Sequence, residues 1–114
     1  MDKREVNAVT QSIRLIYPNM QGRNAINYNW DGITKRSAVI VTAVEWKAGR
    51  DPEDANGRPH VGAANIYVTN IGPHDPEGGA GGVEFYLHVD WDSPLHVQVT
   101  ITVLDTVERY LVVE

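Results

Sequence analysis

The chain contains no cysteine, which removes disulfides, thiolate metal sites, cysteine nucleophiles and iron–sulfur clusters together. It also has no apolar run near the ~20 residues that a membrane-spanning helix needs. Basic charge is almost missing from one half. Residues 59–114 carry Arg109 alone against eight acids, a balance of −7, whereas residues 1–58 carry nine basic residues against seven acids, +2, which together give the net −5. A half that acidic repels phosphate, and the basic residues of the other half are scattered, so neither nucleic acid nor an anionic membrane is an expected partner. The start, Met1 to Val6, lacks the apolar stretch of a signal peptide and points to the cytoplasm, although a chain trimmed of its signal would read the same. No G-x-S-x-G elbow, P-loop, G-x-G-x-x-G or H-E-x-x-H occurs, which makes catalysis the minority expectation.

What is present is β-branched residues at period 2. The 114 residues suit one domain, 1–114, since halves would be too small for a good core. From Val83 to Trp91, Val83, Phe85, Leu87, Val89 and Trp91 share one face, and Glu84, Tyr86, His88 and Asp90 share the other. After the breaker Asp92-Ser93-Pro94, Leu95 to Leu104 resumes the alternation, with Val97, Val99, Ile101 and Val103 opposite His96, Gln98, Thr100 and Thr102. These two runs predict a hairpin. Asp31-Gly32, between Ile26–Trp30 and Ile33, predicts a second one through a two-residue turn with positive φ. Ala38–Val44, Ser12–Tyr17 (stopped by Pro18), Ala63–Ile71 and Val107–Val113 complete about seven strands, with a short helix after Thr106 as the alternative for the last. The expected fold is all-β: a single-domain antiparallel β-sandwich, immunoglobulin-like or jelly-roll-like.

Two stretches read as long loops, Ala48–Gly62 and Gly72–Gly82, and together they hold eight of the ten glycines. Loops of that length in a small domain are often functional. Flanking strand Ala63–Ile71 on both sides, they are expected at opposite ends of the sandwich. The run Ala64-Asn65-Ile66-Tyr67-Val68-Thr69-Asn70-Ile71-Gly72-Pro73-His74, followed after a glycine-rich loop by Val83-Glu84-Phe85-Tyr86, resembles immunoglobulin-like sandwich modules in architecture. That resemblance implies no activity.

Three constellations carry the functional expectations. On the polar face of Val83–Trp91 and its turn, alternate residues stand about 6.6–6.8 Å apart, so His88, Asp90 and Asp92, joined by His96 on the return strand, are the candidate ligands of a divalent metal. Glu84 and Asp90 lie about 20 Å apart along that strand, too far for paired-carboxylate glycoside chemistry at ~5–9.5 Å. Acidic loop residues Asp51, Glu53 and Asp54, and then Asp75 and Glu77, offer oxygen ligands to calcium without matching the EF-hand spacing. The cluster Asn27-Tyr28-Asn29-Trp30-Asp31 joins an aromatic ring to amide and carboxylate groups, the usual ingredients of a sugar site.

The leading expectation is a non-catalytic binding and assembly module acting through its long loops. A protein or carbohydrate is its ligand, and the β-branched Val107–Val113 edge favours a homo-oligomer. The alternative is a lectin-like carbohydrate-binding domain, calcium-assisted, with Asn29, Trp30, Asp31, His74, Asp75 and Glu77 at the ligand. The third reading is a small metal-dependent enzyme using His88, Asp90 and His96.

Overall fold

The computed structural model describes residues 10–49, 57–76 and 79–114. Seven strands follow in chain order: β1 (Gln11–Met20), β2 (Gly22–Asn29), β3 (Ser37–Lys47), β4 (Arg58–His60), β5 (Asn65–His74), β6 (Gly82–Asp90) and β7 (Leu95–Thr106). They form two antiparallel sheets, one ordered β1-β7-β3-β4 and the other β2-β6-β5. The β-sandwich expected from the sequence is what forms.

The core lies where the two central strands face each other. Val83, Phe85, Leu87 and Val89 of β6 and Val97, Val99 and Ile101 of β7 are at most 3% exposed, joined by Ile33 and Val41. The alternation therefore does what it predicts within each strand: one face is buried and the other is left outward.

Connectivity departs from the expectation. β6 and β7 sit in opposite sheets, so Trp91–Pro94 is an arch between layers and not a hairpin turn. β2 and β3 likewise belong to different sheets, and the Asp31-Gly32 turn is a crossing. It closes through the Ile33 N–H donating to Trp30 O at 3.0 Å, and neither Asp31 nor Gly32 takes a positive φ. Among the described strands, only β3–β4 and β5–β6 join sheet neighbours in sequence.

Strand limits also move. β1 runs through Pro18 to Met20, because a register shift after Tyr17 and a left-handed Asn19 (φ 56°) absorb the proline. β5 runs past Ile71 to His74 by the same device, with Asn70 at φ 56° and a shift between Thr69 and Gly72. β6 ends at Asp90, which leaves Trp91 44% exposed where the pattern predicted core. Val107–Glu114 forms neither strand nor helix. Its β propensity meets no neighbouring strand, and propensity without cross-strand packing is weak. No helix among the described residues is long and apolar enough to cross a membrane.

Tyr17, on the inner side of β1, supplies a pH prediction. Burial, and secondarily the nearby Tyr28, raise its phenol pKa above the usual 10.0. The folded state thus holds this proton more tightly than the unfolded chain. Its contribution is complete below about pH 10 and declines as pH rises through the raised value. Urea unfolding between about pH 9 and 11 will show a steeper alkaline loss of stability in the wild type than in Tyr17→Phe. Coincident slopes would remove Tyr17 as the cause.

Candidate functional site

The outer face of the β2-β6-β5 sheet gathers a group of polar and aromatic side chains that the sequence scatters. Register builds it in rows: Tyr67–His88–Arg23, Thr69–Tyr86–Ala25, Gly72–Glu84–Asn27 and His74–Gly82–Asn29, each written β5–β6–β2. The first two rows form an interlocked aromatic patch. Tyr67 stacks on His88 with ring centroids 4.5 Å apart and 5° between planes, and His88 meets Tyr86 edge-on at 6.4 Å. The Arg23 guanidinium carbon lies 3.9 Å over the Tyr86 ring. A hydrogen bond of 2.7 Å joins His88 Nε2 to Thr69 Oγ1.

The last two rows form a hydrogen-bonded polar end. Asn27 Nδ2 donates to Asn29 Oδ1 at 3.0 Å, which leaves Asn27 Oδ1 as the acceptor for His74 Nε2 at 2.6 Å. Asp75 Oδ1 accepts from the Lys35 backbone N–H at 2.9 Å and ties the β2–β3 crossing to the β5–β6 turn. At this polar end lies an open groove of about 660 Å³ holding Asn27, Lys35, His74, Asp75 and Glu84. A recess of about 350 Å³ beside Ala25, Asn70 and Tyr86 continues it, sharing Asn27 and Glu84. Gly72 is open, with nothing within 4 Å of where its Cβ would stand, whereas Gly82 is buried, and a Cβ there would come within 2.6 Å of Tyr28 O and 2.9 Å of the His74 ring.

Of the expected ligand residues, the structure brings Asn29, His74 and Asp75 together. Trp30 leaves that group: half-buried, it packs on the core and edge-on against Tyr28 at 6.3 Å. Asp31 is exposed on the turn beyond it, and Asp51, Glu53, Asp54 and Glu77 lie outside the described residues. The expected metal set does not assemble. His88 and Asp90 are on the outward side of β6 and His96 is on the outward side of β7, so the two histidines stand on opposite faces of the sandwich. His96 Nδ1 instead accepts the Asn19 N–H at 3.1 Å and its ring meets Trp46 at 6.3 Å, while Asp92 is exposed in the arch. Among the described residues no group of three or more His, Cys, Asp or Glu is placed to hold a metal ion.

Glu84, Lys35, Arg23 and Gly72 were missing from the expected ligand set. Asn27 was legible, since Asn27-x-Asn29 puts both amides on one side of a strand. A separate recess of about 510 Å³ lies beside β4, where Glu45 and His60 are register partners. It gathers fewer polar groups than the groove.

Fold and groove define a β-sandwich with a polar, grooved outer face on its three-stranded sheet. The chain matches no family model, no curated protein and no solved structure.

Proposed function

We propose that the protein is a non-catalytic binding module whose ligand lies along the groove over Gly72, Glu84 and Asn27, and that the ligand is a saccharide or similarly hydroxyl-rich molecule. The observation that carries this is the convergence of Glu84, Asp75, Asn27, His74 and Lys35 on one groove, beside Gly72, which pairs with Glu84 in register and has open space where a side chain would stand. Acceptors and donors placed side by side match vicinal hydroxyls, each of which donates and accepts. Pro73, Pro76, Ala25 and Tyr86 add the apolar contact that the C–H face of a sugar uses. The sugar site expected around Trp30 is thereby moved to the opposite side of β2. Calcium assistance finds no ligand set among the described residues.

Gly72→Leu supplies the test. Gly72 does not use the left-handed region and the space above it is open, so leucine fits the fold while filling the groove. A glycan array followed by calorimetry on the best ligand will show binding by the wild type and a loss of tenfold or more in Gly72→Leu. The melting temperature should be nearly unchanged. Glu84→Gln removes charge-assisted acceptance from a hydroxyl and should cost about 1.5 kcal/mol, or roughly tenfold. A wild type that binds no glycan, or a Gly72→Leu variant that binds as well, would reject the assignment.

A further inference from the structure

The geometry points to self-assembly by strand exchange: the segment Tyr110–Val113 of one copy adds as a strand to the outer edge of β2 in a second copy. Two independent features of the chain complement each other. The first is the segment itself. Tyr110, Leu111, Val112 and Val113 are 71%, 69%, 83% and 91% exposed, a consecutive apolar run with β-branched residues and no strand to pair with. Apolar surface left open in this way marks an interaction site.

The second is a strand position that nothing described occupies. On the flank of the sandwich bounded by edge strands β1 and β2, a cleft of about 540 Å³ is lined by Ile13, Tyr28 and Trp30. A strand hydrogen-bonded to β2 would set alternate side chains over these three. The other long edges carry the devices that discourage such pairing: β1 has Pro18 and a register shift, and β5 has Pro73 and a bulge. β2 has neither, and pairs with β6 through eight unbroken registers. It is the one long edge in the described structure left open to addition.

A second copy, and not the same chain, fits as donor. At the end of β7, Thr106 pairs with Ser37 of β3, and the Val107 N–H donates to Arg36 O at 2.9 Å. The Arg36 guanidinium carbon then lies 5.1 Å from the Tyr110 ring centre. The segment therefore leaves on the β3 flank, whereas the cleft lies on the β1 flank across the sheet. Presented outward there, it is available to a neighbour. A reciprocal exchange closes a two-fold dimer, and a one-way exchange gives a chain of copies.

Sedimentation velocity on the intact chain over a range of micromolar concentrations will show a dimer or larger species. A chain ending at Arg109, and separately Leu111→Glu/Val113→Glu, will be monomeric with the circular dichroism of the wild type. A synthetic peptide of residues 107–114 will bind the shortened chain. Because the sequence has no cysteine, Val112→Cys can be mixed in turn with Asn27→Cys and Asn29→Cys on β2, and oxidation will yield a mixed disulfide with one of them in excess over either homodimer. A concentration-independent monomer for the intact chain, or unchanged assembly in both variants, overturns the proposal. Assembly that depends on the segment without a cross-link from Val112 to either β2 position overturns the assignment to β2.

Discussion

Gly81→Ala is expected to destabilise the fold by about 3 kcal/mol, the upper end of the cost of forcing volume into a packed site. Gly81 is buried at the entry to β6, and its carbonyl accepts the Trp30 N–H at 2.8 Å. A Cβ there would overlap the Ile33 carbonyl oxygen, reach within 2.9 Å of the Ile33 carbonyl carbon and stand 3.0 Å from Trp30 O. All three atoms are backbone, so no rotamer change relieves the clash. Ile33 is itself fully buried in the core and cannot retreat. The turn and β6 must separate, which endangers the Trp30–Gly81 hydrogen bond as well. At roughly 3–6 °C per kcal/mol for a domain of this size, the midpoint should fall by about 10–20 °C. Gly72→Ala is the control. With open space above it and no left-handed φ, it should be neutral or stabilising by up to about 1 kcal/mol, because alanine restricts the unfolded chain. Equal melting temperatures for the two variants would show that the close approach at Gly81 does not matter.

This contrast between two glycines illustrates what the sequence could express. The runs Val83–Val89 and Val97–Val103 declare strands with one buried face, because period 2 is local and burial enforces it. The sheet each strand joins is not local. Two consecutive strands with apolar faces form a hairpin if those faces lie on one side of a shared sheet, and an arch if they face each other across the core. The pattern of β6 and β7 is the same in both cases, and the arch is what forms. Once it does, His88 and His96 are carried to opposite surfaces and do not meet around one ion.

The Asn27–Asp31 cluster is divided between two faces for a different reason, one that the sequence did contain. Neighbouring residues of a strand point to opposite faces, so Asn29 and Trp30 cannot easily serve one ligand across a continuous β2. Parity would have grouped Asn27 with Asn29 and sent Tyr28 and Trp30 to the core side. The reach of β5 to His74 was less accessible. Gly72-Pro73 reads as a stop, and only an edge strand with a bulge can carry a proline there without losing a ladder bond. That extension places His74 opposite Gly82 and so completes the polar end of the groove.

Leu87→Ala should have an effect as large as Gly81→Ala, through the opposite defect. Leu87 is fully buried at the centre of β6, between Asn24 of β2 and Val68 of β5 in register. Its side chain points across the sandwich toward the inward residues of β7. Truncation removes three buried carbons and leaves a cavity walled by strands held on both sides, which limits collapse, so a cost of about 3–4 kcal/mol is expected. Leu104→Ala makes the same chemical change near the end of β7, where the side chain is 36% exposed and solvent can fill the space, and should cost under about 1 kcal/mol. Urea titration reads both. The midpoint of Leu87→Ala should fall strongly with the slope unchanged, since the surface exposed on unfolding is nearly the same. The groove lies on the other side of β6, so the folded fraction of Leu87→Ala should keep the ligand affinity of the wild type. Gly72→Leu should show the reverse, lost affinity at unchanged stability. If Leu87→Ala and Leu104→Ala were equally costly, the core would not be centred between β6 and β7 as described.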